Sequence, residues 1–155
     1  MASGVLQNTK LVAIIPPAAI ADDETYTSAI IDTAGWGHVD VVVLLGATDI
    51  AMAALKVQES DDSEMSGSTS ITGLVAGTSL IPESGATSAL PSATDDNKFF
   101  VFSFDTLGRK RYIDLYATAG DGTTGTFLVA FAILSNGEYD TNTAALRGIA
   151  QHLIA

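Results

Sequence analysis

Apolar and polar positions alternate with a period of two along most of this chain. From His38 onward, Val39, Val41, Val43 and Leu45 fall on one face, with Asp40, Val42 and Leu44 on the other. After a loop, Leu55 and Val57 alternate with Lys56 and Gln58. A period of two in β-branched residues marks β-strands. The stretch from His38 to Asp62 therefore predicts two long strands joined by a loop, on which most of the core should hang. Each fully buried Val or Leu contributes about 1.5–3 kcal/mol, enough to make these strands the centre of a sandwich. The second strand has one wet face and ends in an acidic turn.

The same pattern predicts further strands on both sides. Lys10 to Ile15 is a first strand, stopped by Pro16 and Pro17, which cannot donate to a ladder. Tyr26 to Ile31 is a second, followed by a turn that carries Trp36, the single tryptophan. Ser60 to Lys98 turns to Ser, Thr, Gly, Asp and Pro. Unstructured connections beyond about 12–15 residues are uncommon in compact domains, so a short strand is placed at Ile71 to Ala76 within it. Phe99 to Phe104 puts Phe100, Phe102 and Phe104 on one face. In Arg111 to Ala119, Ile113, Leu115 and Ala117 point inward, and Tyr112, Asp114 and Tyr116 outward. Thr126 to Ser135 is apolar on both faces, so it is either a central strand or half-covered by a neighbouring subunit. In the tail, 136–155, Ala144 to Ile154 reads as a short helix weakened by Gly148, by about 1 kcal/mol relative to Ala, or the segment is an edge strand or extended arm; the arm fits better.

Seven or eight short strands with turn signals between them and no convincing helix predict an all-β fold. The expected architecture is a jelly-roll-like antiparallel β-sandwich of about eight strands with extended termini. Its parts are an N-terminal arm (1–10), the sandwich (11–135) and a C-terminal arm or edge segment (136–155).

Composition narrows the function. At 155 residues the chain can bury a core without staples. Apolar residues make up 47% and charged ones 16%, which suggests that some apolar surface meets another subunit. There is no cysteine, which excludes disulfides and thiolate metal sites. A net charge of −11 repels phosphate backbones and argues against nucleic acid as a partner. The N-terminus lacks a basic leader region, and its LVAII run is too short for a signal core. The longest nearly apolar run, Val41 to Leu55, is broken by Asp49 and falls short of a membrane span. A soluble protein without a membrane partner is expected.

Candidate chemistry is sparse. Gly120, Gly122 and Gly125 spell G-x-G-x-x-G, but a strand follows them. The dinucleotide motif needs a helix there to receive the pyrophosphate, so an Asp-Gly hairpin is the better reading. Glu59, Asp61, Asp62 and Glu64 cluster without calcium-loop spacing and read as a solvated turn; Asp95 and Asp96 read as a loop before a strand. His38 and His152 are the only imidazole bases, and neither adjoins a nucleophile motif. No catalytic, cofactor-binding or metal-binding residue is assigned, and no enzyme is expected. Arg109, Lys110 and Arg111 hold three of the seven positive charges. They are either a solvated turn in local charge balance or a candidate docking patch for an acidic partner. Trp36 with Tyr112 and Tyr116 could form a sugar-stacking platform, although packing is the commoner use of such residues.

Across its middle the chain resembles the head decoration, or cement, proteins of tailed bacteriophages. The resemblance runs through IIDTAGW, VVVLLGATDIAMAALKVQESDD, ITGL, LPSATDDNKFF and GRKRYIDLYATAGDGTTGTFLVAFAILS. It implies a jelly-roll-like subunit, usually a homotrimer, bound non-covalently to the major capsid protein on the outer surface of the phage head. It brings no catalytic residues and no cofactor. The alternatives are another virion sandwich, associated with a tail or fibre, and a carbohydrate-binding module. On the decoration reading the two arms are expected to reach neighbouring capsomers, and several arms per oligomer would add their affinities.

Overall fold

The computed structural model describes residues 5–18, 20–138 and 143–153. The first four residues of the expected N-terminal arm, and residues 139–142 and 154–155 of the C-terminal one, lie outside the described residues.

Among the described residues eight strands form: β1 (Lys10–Ile15), β2 (Ile31–Asp32), β3 (Trp36–Thr48), β4 (Ala54–Ser60), β5 (Thr69–Val75), β6 (Phe99–Asp105), β7 (Tyr112–Thr118) and β8 (Thr126–Gly137). They make two four-stranded sheets, ordered β1-β8-β3-β6 and β2-β7-β4-β5, with every pairing antiparallel. The first strand pairs the eighth, the second the seventh, the third the sixth, and the fourth the fifth. This nesting is one long hairpin rolled up until β3 meets β8 and β4 meets β7, the jelly roll.

The core lies between the sheets and follows the alternation. Val39, Val41, Val43 and Leu45 of β3 face Leu55 and Val57 of β4 and Ile113, Leu115 and Ala117 of β7; all are buried. The two strands from the His38–Asp62 stretch therefore sit in opposite sheets and meet through side chains, not through a ladder. β8 lies between β1 and β3, with Leu128, Ala130, Ala132 and Leu134 buried. Its other face, from Phe127 to Ile133, is only partly covered.

Two expectations need correction. The second strand begins at Ile31, not Tyr26. Residues 21–30 pass along the rim and divide their backbone bonds: Tyr26 N–H goes to Ala117 of β7 at 2.9 Å, and Ala29 N–H to Ile14 of β1 at 2.8 Å. The segment's bridges, Ala21 with Thr126 and Thr25 with Thr118, are isolated and extend neither ladder. The Gly120–Gly125 turn is not a hairpin, because β7 and β8 lie in different sheets; it is a crossover. In the tail, Asn136 and Gly137 end β8, and no helix forms among its described residues. Residues 143–149 close into a turn, with Ile149 N–H donating to Ala144 at 2.9 Å, and Leu11 N–H of β1 donates to the Arg147 carbonyl at 2.8 Å.

Candidate functional site

The basic turn joins β6 to β7, and the β4–β7 register decides its surroundings. Ser60 pairs with Tyr112, so the acidic end of β4 runs beside the residues just before β7. Arg109 Nη1 lies 3.7 Å from Glu59, and Lys110 Nζ lies 3.8 Å from Asp61. Arg111 makes a bidentate pair with Asp32 of β2, both bonds being 2.8 Å. That guanidinium holds the Asp32 carboxyl below its ordinary range. The Arg111 carbonyl also accepts the Thr33 hydroxyl at 2.7 Å. Two clusters that look separate in the sequence thus face one another, and Arg109, Lys110 and Arg111 each have an acidic partner within the chain. An acidic ligand here would have to displace those carboxylates.

Asp62, Asp95 and Asp96 are tied to the backbone. Asp62 accepts Glu64 N–H at 2.7 Å, Asp96 accepts Thr48 N–H at 3.0 Å, and Asp95 accepts Ser92 N–H at 3.0 Å while pairing with Lys98. Among the described residues no three His, Asp or Glu side chains converge as metal ligands would.

The glycine-rich turn does cradle an anion, one supplied by the chain itself. Asp49 Oδ2 accepts the N–H groups of Thr123 and Thr124, each at 2.6 Å, and Asp22 accepts Gly122 N–H at 2.9 Å. A Cβ at Gly122 would run into the Asp49 carboxylate. These backbone donors, Thr124 first, hold the Asp49 carboxyl below its ordinary range.

On the outer face of the first sheet, His38 stands between two carboxylates. Its Nδ1 is 2.7 Å from Asp105 and its Nε2 3.3 Å from Asp40. Asp105, then Asp40, pushes the imidazole pKa up against a smaller opposing effect of burial. Ser103 donates its hydroxyl to Asp40 and not to the imidazole. Both ring nitrogens are engaged by acids, so this constellation lacks the serine-to-imidazole bond of an activated nucleophile. His152 lies in the C-terminal segment, away from it in the chain and without a hydrogen-bond partner on its buried Nδ1.

Trp36 and the two tyrosines do not form one platform. Trp36 opens β3 in the first sheet, paired with Gly137 and packed against the core. Tyr112 and Tyr116 lie on the outer face of the second sheet. Lys56 sits 4.9 Å above the Tyr116 ring and Arg111 5.1 Å above that of Tyr112. Between the tyrosines Asp114 is half-buried, with one oxygen lacking a partner, and burial raises its pKa.

No family model, curated protein or solved structure matches the chain. What remains distinctive is surface. The outer face of β1-β8-β3-β6 is apolar at one end: Val129, Leu44 and Phe99 form one cross-strand row, and Ala13, Phe131, Val42 and Val101 the next. Phe99 is 63% exposed and Val101 54%. Sequence reasoning registered the two apolar faces of β8, but not that Phe99 and Val101 extend them, because the β3–β6 pairing brings those residues alongside. Among the described residues no helix is long and apolar enough to cross a membrane.

Proposed function

We propose that this protein is a capsid decoration protein of a tailed phage, seated on the outer surface of the head, where it contacts the major capsid protein and stabilises the shell without covalent bonds. The observation that carries the reading is the apolar outer sheet face on a chain of net charge −11. Contiguous exposed apolar patches of this kind mark interaction surfaces. The rigid jelly roll beneath supports the reading, since it presents that face on strands rather than on loops. So does the sequence resemblance, which runs from β2 to β8. Self-association, with a homotrimer as the expected state, would place several shell contacts on one particle and raise its avidity.

The test uses shells of the encoding phage stripped of the protein. Added protein should co-sediment with them to saturation, raise their disruption temperature, and appear as density on the outer surface in a reconstruction. Absence of binding to mature shells overturns the reading, and so does density confined to the tail.

A further inference from the structure

The four sheet edges are treated differently. The outer edge of β1 is capped by the turn at 143–149 through the Leu11–Arg147 bond. β2 is only two residues long. β5 carries Gly73 at a φ of +90° and meets β4 in an irregular register. Among the described residues β6 shows none of these devices. Its register with β3 is regular over all seven residues, its sequence FFVFSFD holds neither Pro nor Lys, and it is paired on one side only. Proteins blunt free edges with caps, short strands and bulges; a flat apolar edge left open is a site for pairing with another chain.

Beside this edge runs a groove of about 670 Å³. Leu74, Phe100 and Phe102 line its floor, while Leu80, Ile81 and Val101 are exposed along it. Glu83 stands on its wall. At the opposite edge of the same sheet, the segment 143–153 exposes Leu146 and Leu153, the latter 90% accessible. Residues 143–155 contain none of the chain's 18 acidic residues, and their one cation, Arg147, is buried with its Nε on the Thr143 carbonyl. Copies that each carry −11 repel one another over most of their surface. An acid-free segment with exposed leucines can approach the Glu83 and Asp95 side chains of another copy's groove without adding to that repulsion.

We propose that the C-terminal segment of one copy docks in the β6 groove of the next, with Leu146 and Leu153 as its apolar anchors and the β6 edge supplying backbone partners. This deepens the decoration reading by naming its self-interface. The contact is heterologous, using different surfaces on the two copies, so it builds a closed ring when the rotation between copies closes.

Two variants test it, one for each side of the contact. Leu146→Asp with Leu153→Asp removes the anchors, and Val101→Lys blocks the groove, with Leu80→Lys as a second blocking variant should Val101→Lys perturb the unfolding midpoint. By light scattering, the wild type should be an oligomer of at least three 16.0 kDa chains, and each variant alone a monomer. An equimolar mixture of the two should double the mass and go no further, because only one intact groove and one intact tail can meet. A monomeric wild type, a variant that stays oligomeric, or a mixture that stays monomeric overturns the inference. An oligomer that forms as described but ignores phage shells overturns the decoration reading alone. A monomer that binds them overturns only the interface.

Discussion

Asp49 and Thr124, 75 residues apart, are joined by a 2.6 Å bond from the Thr124 amide to the Asp49 carboxylate. This bond and its Thr123 twin tie the β3–β4 connection to the β7–β8 crossover at one end of the sandwich. Because the folded-state pKa of Asp49 is lowered, its stabilisation is full above the unfolded carboxyl pKa and is lost as pH falls through the folded value. Asp49→Ala should lower the thermal midpoint at pH 7. The gap to wild type should close in strongly acidic buffer, as read by melts across a pH series.

Gly125 in the same crossover has a φ of +86°, and a Cβ there would strike the Ala21 carbonyl. Gly85 also has positive φ, +67°, but open space around it. Gly85→Ala should cost only the left-handed penalty, about 1–2 kcal/mol. Gly125→Ala should cost more, since the rim segment bonded to Thr126 must also shift. Urea unfolding of the two variants gives the comparison.

Leu45 and Leu44 are neighbours on β3 with opposite fates. Leu45 is fully buried and Leu44 partly exposed on the apolar outer face. Leu45→Ala should lower unfolding free energy by about 2–5 kcal/mol. Leu44→Ala should stay within about 1 kcal/mol, close to the effect of a surface change. Equal losses in urea titrations would contradict the assignment of faces.

His38 should titrate above its ordinary value of 6.5 in an NMR pH series. Asp105→Asn should bring the midpoint down further than Asp40→Asn, because Asp105 is the larger influence. With a raised folded pKa, the stabilisation from charged His38 is full below the unfolded pKa and is lost as pH rises through the folded value.

Asp114 has a pKa raised by burial, and the nearby Lys56 charge offsets this only in part. Its contribution to stability is greatest in acid, where it is protonated, and falls as pH rises through the folded value. Asp114→Asn should therefore raise the unfolding midpoint at pH 7 and give little or no gain below pH ~4, the ordinary carboxyl range.

Strand positions and faces were legible because a period of two in Val, Ile, Leu and Phe is a local signal. The strand inside the Ser-Thr-Gly-rich stretch came from the length of that connection, whereas Lys10–Ile15 and the alternation of β3, β4 and β7 follow from the period of two. Tyr26–Ile30 misled for the same reason: its residues suit a strand, but their backbone partners come from two sheets. The Asp-Gly signal at 121–122 misled because a turn sequence says that the chain reverses, not which sheet receives it. The partners of Arg109, Lys110 and Arg111 were hidden because Asp32 and Glu59 are distant in sequence, and only the register brings them near.

By itself the sequence determined the class of fold, the inward face of each main strand, and an acidic surface with more apolar residues than a core requires. All of these rest on side-chain type and spacing along a single strand. The tertiary structure alone decided the nested pairing, the Asp49 anchor in the glycine-rich crossover, the neutralised basic turn, and the open β6 edge opposite the capped β1 edge. Each of those depends on which distant strands share hydrogen bonds, and backbone hydrogen bonding is nearly blind to side-chain identity.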